Sequence, residues 1–217
     1  MIELRGERVR VRPLHPGEID RVIEDSLPAW VAWGSDPAVA RERIRERLRR
    51  SGEVTEHGLD LGIELEGRLI GDVQARAEGL PSGAFELGIG LFEAKNRGRG
   101  LGGEAVALLT AHLFDELGAR RIQITTDVAN VGMRRVAERL GFRHEGDLRG
   151  FWPGADGDHD YAMYAMTRGD YLAADRGADH EGRASSSEAI GPREKRVSSS
   201  EAIGPREERR SEVRRWT

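Results

Sequence analysis

Glycine and arginine alternate between residues 97 and 103, where the sequence reads Arg-Gly-Arg-Gly-Leu-Gly-Gly. Glycines let the backbone turn tightly and aim several N–H groups at one anion. The apolar spacing that follows is typical of a helix, whose N-terminus adds the positive end of its dipole. The segment therefore predicts a phosphate-binding loop. Its candidate binding residues are Arg97, Gly98, Arg99, Gly100, Leu101, Gly102 and Gly103.

Two known types of nucleotide-binding loop, the dinucleotide fingerprint and the Walker loop, can be compared with this segment. Gly98, Gly100 and Gly103 match the dinucleotide fingerprint, and Asp127 follows at a predicted strand end, where a ribose-binding acid belongs. That fingerprint places its first glycine in the turn that leaves the strand, whereas six residues separate the strand from Gly98 here. A Walker loop is excluded because no Gly-Lys-Ser/Thr follows. The spacing between the strand and the first glycine therefore disfavours a dinucleotide as the ligand, although it stays as an alternative.

The composition limits the function classes. The 217 residues are 38% hydrophobic and 33% charged, which suits one ordinary core. A net charge of −4 disfavours nucleic acid or an anionic membrane as a partner. The chain has no cysteine, which removes disulfides, a thiolate nucleophile and zinc–thiolate sites. Without an apolar leader or a membrane-length apolar run, we expect a soluble, cytoplasmic protein.

The chain changes character near residue 173. Residues 1–172 alternate apolar runs with turn signals and predict one folded domain, whereas 173–217 are dominated by polar and charged residues. Such a composition cannot bury enough apolar surface to order itself. Within it, the ten residues from Ser185 recur identically from Ser198, and two polar copies are too few for a stacked repeat. We therefore predict a disordered tail with a duplicated segment.

Hydrophobic periodicity predicts a mixed α/β fold. Its elements run in the order β, α, α, β, β, β, α, β, α, β, β. Strands are expected at 8–12, 59–66, 69–76, 84–91, 121–127, 143–150 and 159–167, and helices at 16–27, 37–50, after the glycine loop to 117, and from Asn130 to Gly141. The helix after the glycine loop then joins two parallel strands.

The strand before the glycine loop has two unlike faces. Alternation puts its large apolar residues on one side and its small or charged residues on the other. The packed side carries Phe85, Leu87, Ile89 and Leu91, and the nearly bare side carries Ala84, Glu86, Gly88 and Gly90. A ligand arm could approach the backbone closely on the bare side.

The segment Arg97-x-x-Gly100-x-Gly102 resembles the Arg/Gln-x-x-Gly-x-Gly/Ala signature of the GNAT superfamily of N-acetyltransferases. The likeness covers roughly residues 1–172 and is strongest to the RimJ/RimL-type branch, which acetylates ribosomal-protein N-termini. The segments that carry it are 4–14, 84–103, 122–130, 135–146 and 160–164.

This resemblance implies a mostly antiparallel central sheet flanked by helices, and acetyl-CoA as co-substrate. The loop would cradle the pyrophosphate of coenzyme A, and Asn130 would contact the pantetheine arm. Arg135 is expected to reach the cofactor phosphates, and Trp30 and Trp33 to line the acceptor groove. Backbone N–H groups of the strand would bind the cofactor and the developing oxyanion, at Gly88, Ile89, Gly90 and Leu91.

Acyl transfer to an amine needs a neutral amine and a proton for the departing thiolate. Glu86 is the first candidate for the general base because it shares the bare strand face with the glycines. The general acid is open, since Met133 and Ala137 stand where relatives carry hydroxyl residues. Tyr164 and Tyr161, on the last predicted strand, are the candidate donors, with Tyr164 placed first.

The sequence therefore predicts an acyl-CoA-dependent N-acyltransferase, most simply an acetyltransferase without a metal. With no cysteine to carry an acyl group, the amine attacks directly in a ternary complex. The acceptor is a small-molecule amine or a protein N-terminus, and the protein is a monomer or homodimer. A non-catalytic acyl-CoA-binding sensor or scaffold is the alternative of a different class.

Overall fold

The computed structural model describes residues 2–32, 34–154 and 157–174, which form an eight-stranded sheet with helices. The strands are β1 (Leu4–Arg5), β2 (Val9–Arg12), β3 (Gly58–Leu65), β4 (Arg68–Arg76), β5 (Ala84–Leu91), β6 (Arg121–Asp127), β7 (Arg143–Gly154) and β8 (Gly157–Thr167). The helices are α1 (Ile19–Ala32), α2 (Pro37–Arg49), α3 (Leu101–Asp115) and α4 (Val131–Arg139). The predicted tail from 175 onward lies outside the described residues.

The strand order across the sheet is β1-β2-β3-β4-β5-β6-β8-β7. All neighbouring strands are antiparallel except β5 and β6, which are parallel and joined through α3. This confirms the mixed, mostly antiparallel fold with one parallel crossover. No helix in the described ranges is long and apolar enough to cross a membrane.

β5 and β6 separate after a short paired stretch. Their ladder runs from Ala84 opposite Arg121 only to Glu86 opposite Gln123. Beyond this point β5 remains paired with β4 as far as Leu91, and β6 remains paired with β8 as far as Asp127. Each strand is thus held by its outer neighbour, and an opening forms between their carboxyl ends.

The helices cover the sheet on both faces. α3 packs on the main core, through residues such as Leu109 and Leu113, against β-strand residues that include Val73 and Leu87. α1 and α2 form a second apolar cluster that includes Ile23 and Ile44. The β5 face that we expected to be nearly bare lies towards α1. Two glycines of β5 on this face, Gly88 and Gly90, stand close to polar side chains of β4 and α1.

Several elements differ from the sequence prediction, among them β7, which continues from the expected end at residue 150 to Gly154. The helix expected to end at Leu27 continues through Pro28 to Ala32. Proline removes only one intrahelical hydrogen bond, and Trp30 in the last turn packs against the second apolar cluster. β1 was missed because two residues carry no periodicity.

A buried arginine ties α1 to the sheet. Arg12 of β2 donates from Nε to Glu64 of β3 at 2.6 Å and from Nη2 to Glu18, just before α1, at 2.8 Å. Hydrogen bonds from Arg12 lower the pKa of Glu18, and those from Arg10 and Arg12 lower the pKa of Glu64. The Arg12 side chain is only 7% exposed, so the cluster is shielded from solvent screening.

We predict that Arg12→Leu destabilises the fold by about 3 kcal/mol, because it leaves two carboxylates without their buried partner. Lowered carboxylate pKa values stabilise the fold above the unfolded-state pKa of about 4.3, and this contribution is lost as pH falls. Urea unfolding at pH 7 and pH 4 should therefore show a smaller difference between wild type and variant at pH 4. Arg45→Leu, which removes an exposed ion pair to Asp20, is the control and should change stability little. An equal effect of both variants would contradict the role of Arg12.

Candidate functional site

A cavity of about 840 Å³ opens where β5 and β6 separate. Its walls come from the end of β5, the glycine loop, the first turn of α3 and one face of α4. Ile89 and Leu91 supply the β5 side, and Asn130 stands at the start of α4. The volume is typical of a small-molecule or cofactor site.

The N-termini of two helices border this cavity. Gly100 precedes α3 with φ 81°, a left-handed conformation that glycine adopts without strain. No side chain caps α3, so its first backbone N–H groups are free to meet a ligand. At α4, the Asn130 side chain accepts from the Met133 N–H at 3.1 Å and donates to Thr126 Oγ1 at 3.2 Å. Two helix dipoles therefore favour negative charge at this site.

The side chains that line the cavity carry mostly positive charge, which is also the sign of the dipole at the N-termini of α3 and α4. Arg97, Arg135 and Arg139 line it, against one carboxylate, that of Glu138. Arg97 also donates from Nη2 to the Leu91 carbonyl at 3.0 Å, which holds it at the end of β5. The cavity is thus built for a phosphate-bearing ligand. Within the described ranges, no three His, Asp or Glu side chains gather in an arrangement that could hold a metal ion.

The glycine loop is braced from the start of β2. Arg8 donates from Nη1 to the Arg99 carbonyl at 2.7 Å and from Nε to Glu104 at 3.0 Å. Glu104, in the first turn of α3, also accepts from the backbone N–H groups of Arg8 and Val9. A Cβ on Gly100 would lie 3.1 Å from the Arg8 guanidinium, so this close approach adds to the need for glycine there.

The structure brings most of the predicted binding residues to one cavity. Those at its wall are Ile89, Leu91, Arg97, Gly98, Gly100, Gly102, Gly103, Asn130 and Arg135. Four others are not among the lining residues, namely Gly88, Gly90, Arg99 and Leu101. Leu101 is buried in the main core, and Arg99 contributes its carbonyl to the brace by Arg8.

Sequence reasoning missed six lining residues as binding residues, which are Asn96, Gly132, Met133, Val136, Glu138 and Arg139. Most of them lie on α4, where the spacing from Gly132 to Arg135, Val136 and Arg139 follows one helix face. That periodicity, counted from the predicted Arg135, was the available signal. Asn96 is buried in the turn before Arg97 and had no such signal.

Glu86 is the last residue of β5 that pairs with β6, so it lies where the opening between these two strands begins. Its Oε1 accepts from Arg76 Nη2 at 2.6 Å, and its Oε2 accepts from Gln123 Nε2 at 3.0 Å and from Thr125 Oγ1 at 3.5 Å. These donors hold the side chain in place.

Tyr164 is fully buried and does not line the cavity. Its hydroxyl donates to Glu138 Oε1 at 2.9 Å and accepts from Arg134 Nε at 3.2 Å. Glu138 lines the cavity, so Tyr164 reaches the ligand space only through this carboxylate. Arg134 also donates to the Val128 carbonyl and is therefore engaged inside the fold.

Of the two tryptophans predicted to line the acceptor groove, one lies among the described residues. Trp30 is half-buried in the last turn of α1, against the second apolar cluster. Trp33 lies outside the described residues. The acceptor role of either therefore stays a prediction.

The cavity and the fold agree with the comparisons to known proteins. A family model described as "Acetyltransferase (GNAT) domain" matches residues 8–143, more than half of the chain. The chain belongs to the GNAT acetyltransferase family. It is accordingly an N-acetyltransferase, of the kind that the resemblance in the sequence implied.

Relatives of this GNAT protein carry acetyltransferase names. It is 28% identical over 173 residues to the Bacillus subtilis protein named "Putative ribosomal N-acetyltransferase YdaF", covering 75% of this chain and 93% of that protein. It is 26% identical over 173 residues to the prophage-derived N-acetyltransferase YokL of the same organism, covering 76% of this chain and 93% of the relative. The solved structure of Mycobacterium smegmatis RimJ with CoA-disulfide has a TM-score of 0.60 at 22% identity, covering 81% of this chain and 94% of that chain, and shows the shared fold.

We predict that Arg97→Ala weakens coenzyme A binding about tenfold, because a charge-assisted hydrogen bond to a phosphate oxygen contributes roughly 1.5–3 kcal/mol, partly offset by solvent. Isothermal titration with coenzyme A measures this loss. Arg99→Ala is the matched control, since its side chain lies outside the cavity wall, and it should change the affinity less than threefold. Equal losses for both variants would show that the loop acts through its general charge.

Proposed function

We propose that this GNAT protein transfers the acetyl group of acetyl-CoA to a primary amine, by direct attack in a ternary complex. The observation that carries the proposal is the position of the arginine-lined cavity at the mouth of the opening between β5 and β6. An acyl group that enters this opening becomes accessible from the opposite face of the sheet. The two substrates can therefore bind on different faces and meet between the strands.

The cavity fits the phosphates of coenzyme A by charge and by backbone geometry. The free N–H groups of Gly102 and Gly103, with Arg97, would bind the pyrophosphate, and Arg135 with Arg139 would meet further phosphate oxygens. Asn130 and the unpaired edge of β5 from Gly88 to Leu91 would face the pantetheine arm. Acetyl-CoA supplies an activated thioester whose carbonyl carbon accepts a nucleophile.

Direct attack follows from the residue inventory. The chain contains no cysteine, so no thiol of the protein can accept the acetyl group first. Free N–H groups on the unpaired edge of β5 are suited to stabilise the oxyanion that forms on the carbonyl oxygen. Binding both substrates together then replaces a covalent intermediate by proximity.

Two residues are proposed for proton transfer during the attack. Glu86 accepts a proton from the attacking nitrogen, directly or through water, from its place where the opening begins. Tyr164 supplies a proton to the departing thiolate by way of Glu138, whose carboxylate lines the cavity. A thiolate whose pKa resembles the free-thiol value of about 8.5 is a good leaving group, so the donor contributes less than the base.

The function is tested by measuring free thiol release from acetyl-CoA over a panel of amines. We expect turnover with at least one primary amine, and acetyl-CoA at a hundredfold excess over its Kd should stabilise the fold by about 2.7 kcal/mol in thermal unfolding. NADH at the same concentration should not raise the melting temperature. Stabilisation by NADH alone would favour the dinucleotide alternative, and acetyl-CoA binding without turnover would favour an acyl-CoA sensor.

We predict that Glu86→Gln lowers kcat about a hundredfold with unchanged coenzyme A affinity, because general base catalysis contributes at least this factor. Steady-state kinetics at saturating acetyl-CoA measure the effect. Glu66→Gln, at the exposed turn between β3 and β4, is the control for loss of one carboxylate. Wild-type kcat in Glu86→Gln would remove Glu86 from the reaction.

A further inference from the structure

On the sheet face opposite the coenzyme A cavity, polar side chains border two glycines of β5. β4 and β5 are in register there, with Asp72 opposite Gly90 and Gln74 opposite Gly88. The glycines leave space in front of the backbone that side chains from β4 and α1 border. This space lies along the stretch of β5 that is no longer paired with β6.

Two carboxylates from different elements converge in front of Gly90. A Cβ placed on Gly90 would lie 3.1 Å from Asp72 Oδ1 and 3.1 Å from Asp25 Oδ2. Both oxygens therefore border the space in front of Gly90, and an ammonium nitrogen between the two carboxylates could donate to each of them. Asp25 lies on the exposed side of α1, so the point can be reached from solvent.

Asp72 is buried and receives no hydrogen bond from another residue in the described ranges. It is 6% exposed, and the donor to its carboxylate is its own backbone N–H. The nearby Gln74 Oε1 is likewise buried and has no hydrogen-bond partner in the described ranges. Buried acceptors without donors are costly, so a donor from a ligand would be strongly favoured.

Burial raises the pKa of Asp72 to about 7. The carboxylates of Asp60 on β3 and Asp25 on α1 contribute to this rise in pKa after burial, while Arg47 of α2 and the backbone N–H of Asp72 oppose it. Arg47 is itself engaged with Asp60 at 3.3 Å. A carboxyl group in this range can take a proton from an ammonium ion near neutral pH and release it again.

Glu86 differs from Asp72 in its contacts. It already accepts hydrogen bonds from Arg76, Gln123 and Thr125, which compensate for its partial burial. We therefore assign the binding of a cationic amine to Asp72, which has no donor from another residue in the described ranges. The two acids then have separate parts in the reaction.

We propose that Asp72, with Asp25, binds the ammonium form of the acceptor in front of Gly90 and takes its first proton. This rests on the proposed acetyl transfer. The ammonium loses one proton to Asp72, and the neutral nitrogen forms the C–N bond while the C–S bond breaks. The second proton leaves the nitrogen for Glu86, and the thiolate is protonated, so that amide and free thiol are the products.

The same charges define the acceptor class. Two carboxylates beside the reacting nitrogen attract a cationic amine and repel a carboxylate next to it. The acceptor is therefore a primary amine without a neighbouring carboxylate, such as an alkylamine or a peptide N-terminus. A free α-amino acid is disfavoured.

The test uses Asp72→Asn in the full chain, with n-butylamine, an alanyl dipeptide amide and free alanine as acceptors. We expect kcat/KM for the first two to fall at least a hundredfold with unchanged coenzyme A affinity. In wild type, kcat/KM should rise with pH around pH 7 as Asp72 ionises. This rising limb of the pH profile should be absent in Asp72→Asn. Wild type should use free alanine at least tenfold less well than the dipeptide amide.

Two further variants separate this role from a structural one. Gly90→Ala places a methyl group where the carboxylates converge, so KM for butylamine should rise about tenfold; Gly17→Ala, which meets no atom within 4 Å, is its control. Asp60→Asn removes a like charge and should move the pH limb to lower pH without abolishing it. Asp72→Asn removes a buried charge whose raised pKa costs stability above about pH 4, so its melting temperature at pH 8 should not fall.

The outcomes distinguish this inference from the proposed function. Turnover by wild type with an unchanged pH profile in Asp72→Asn would overturn the inference and leave acetyl transfer standing. Butylammonium binding by calorimetry that is lost in Asp72→Asn, without turnover by wild type, would support the site and overturn the transferase proposal. Absence of both binding and turnover in wild type would overturn both.

Discussion

The separation of β5 from β6 is the constraint on which the rest of the site depends. Parallel pairing stops at Glu86 opposite Gln123, while each strand keeps its antiparallel partner on the outer side. A sheet that otherwise separates two layers is thereby open at one place, and backbone N–H groups are left free there for a ligand.

The two faces of the sheet carry side chains of opposite charge at this opening. On the α3 and α4 side, two helix N-termini and three arginines surround the cavity. On the α1 side, Asp72 and Asp25 converge in front of Gly90. An anionic ligand and a cationic ligand would thus be attracted to opposite faces of the sheet.

The supports of these two charge sets are different. The glycine loop is held by Arg8 and Glu104, which connect the start of β2 to the first turn of α3. The α1 side is held by Arg12, which joins β2 and β3 to the residues before α1. The two supports begin at Arg8, just before β2, and at Arg12 in β2, so this short segment positions a helix on each face. The alternating Arg8, Arg10 and Arg12 have their structural reason in these contacts.

Local patterns in the sequence were enough for most elements and for one half of the site. The strand 84–91, the strand 121–127 and the glycine loop were predicted as they occur, because alternation, glycine and capping residues act over a few neighbours. The loop's arginine and glycines indicated an anion site, since their backbone freedom and charge are local properties. The boundary at Pro28 was wrong because packing of Trp30 outweighs one lost hydrogen bond.

Only the tertiary structure showed which side chains from different elements lie next to each other at the site. Sequence alternation placed Glu86 and Gly90 on one face of β5, but it could not show that Asp72 from β4 and Asp25 from α1 meet there. It likewise could not show that Tyr164 is separated from the cavity by Glu138. Such neighbours are set by strand register and helix docking, which depend on contacts between residues far apart in the chain. The physical reason is burial: an aspartate becomes a proton acceptor near neutral pH only once the assembled fold removes it from water.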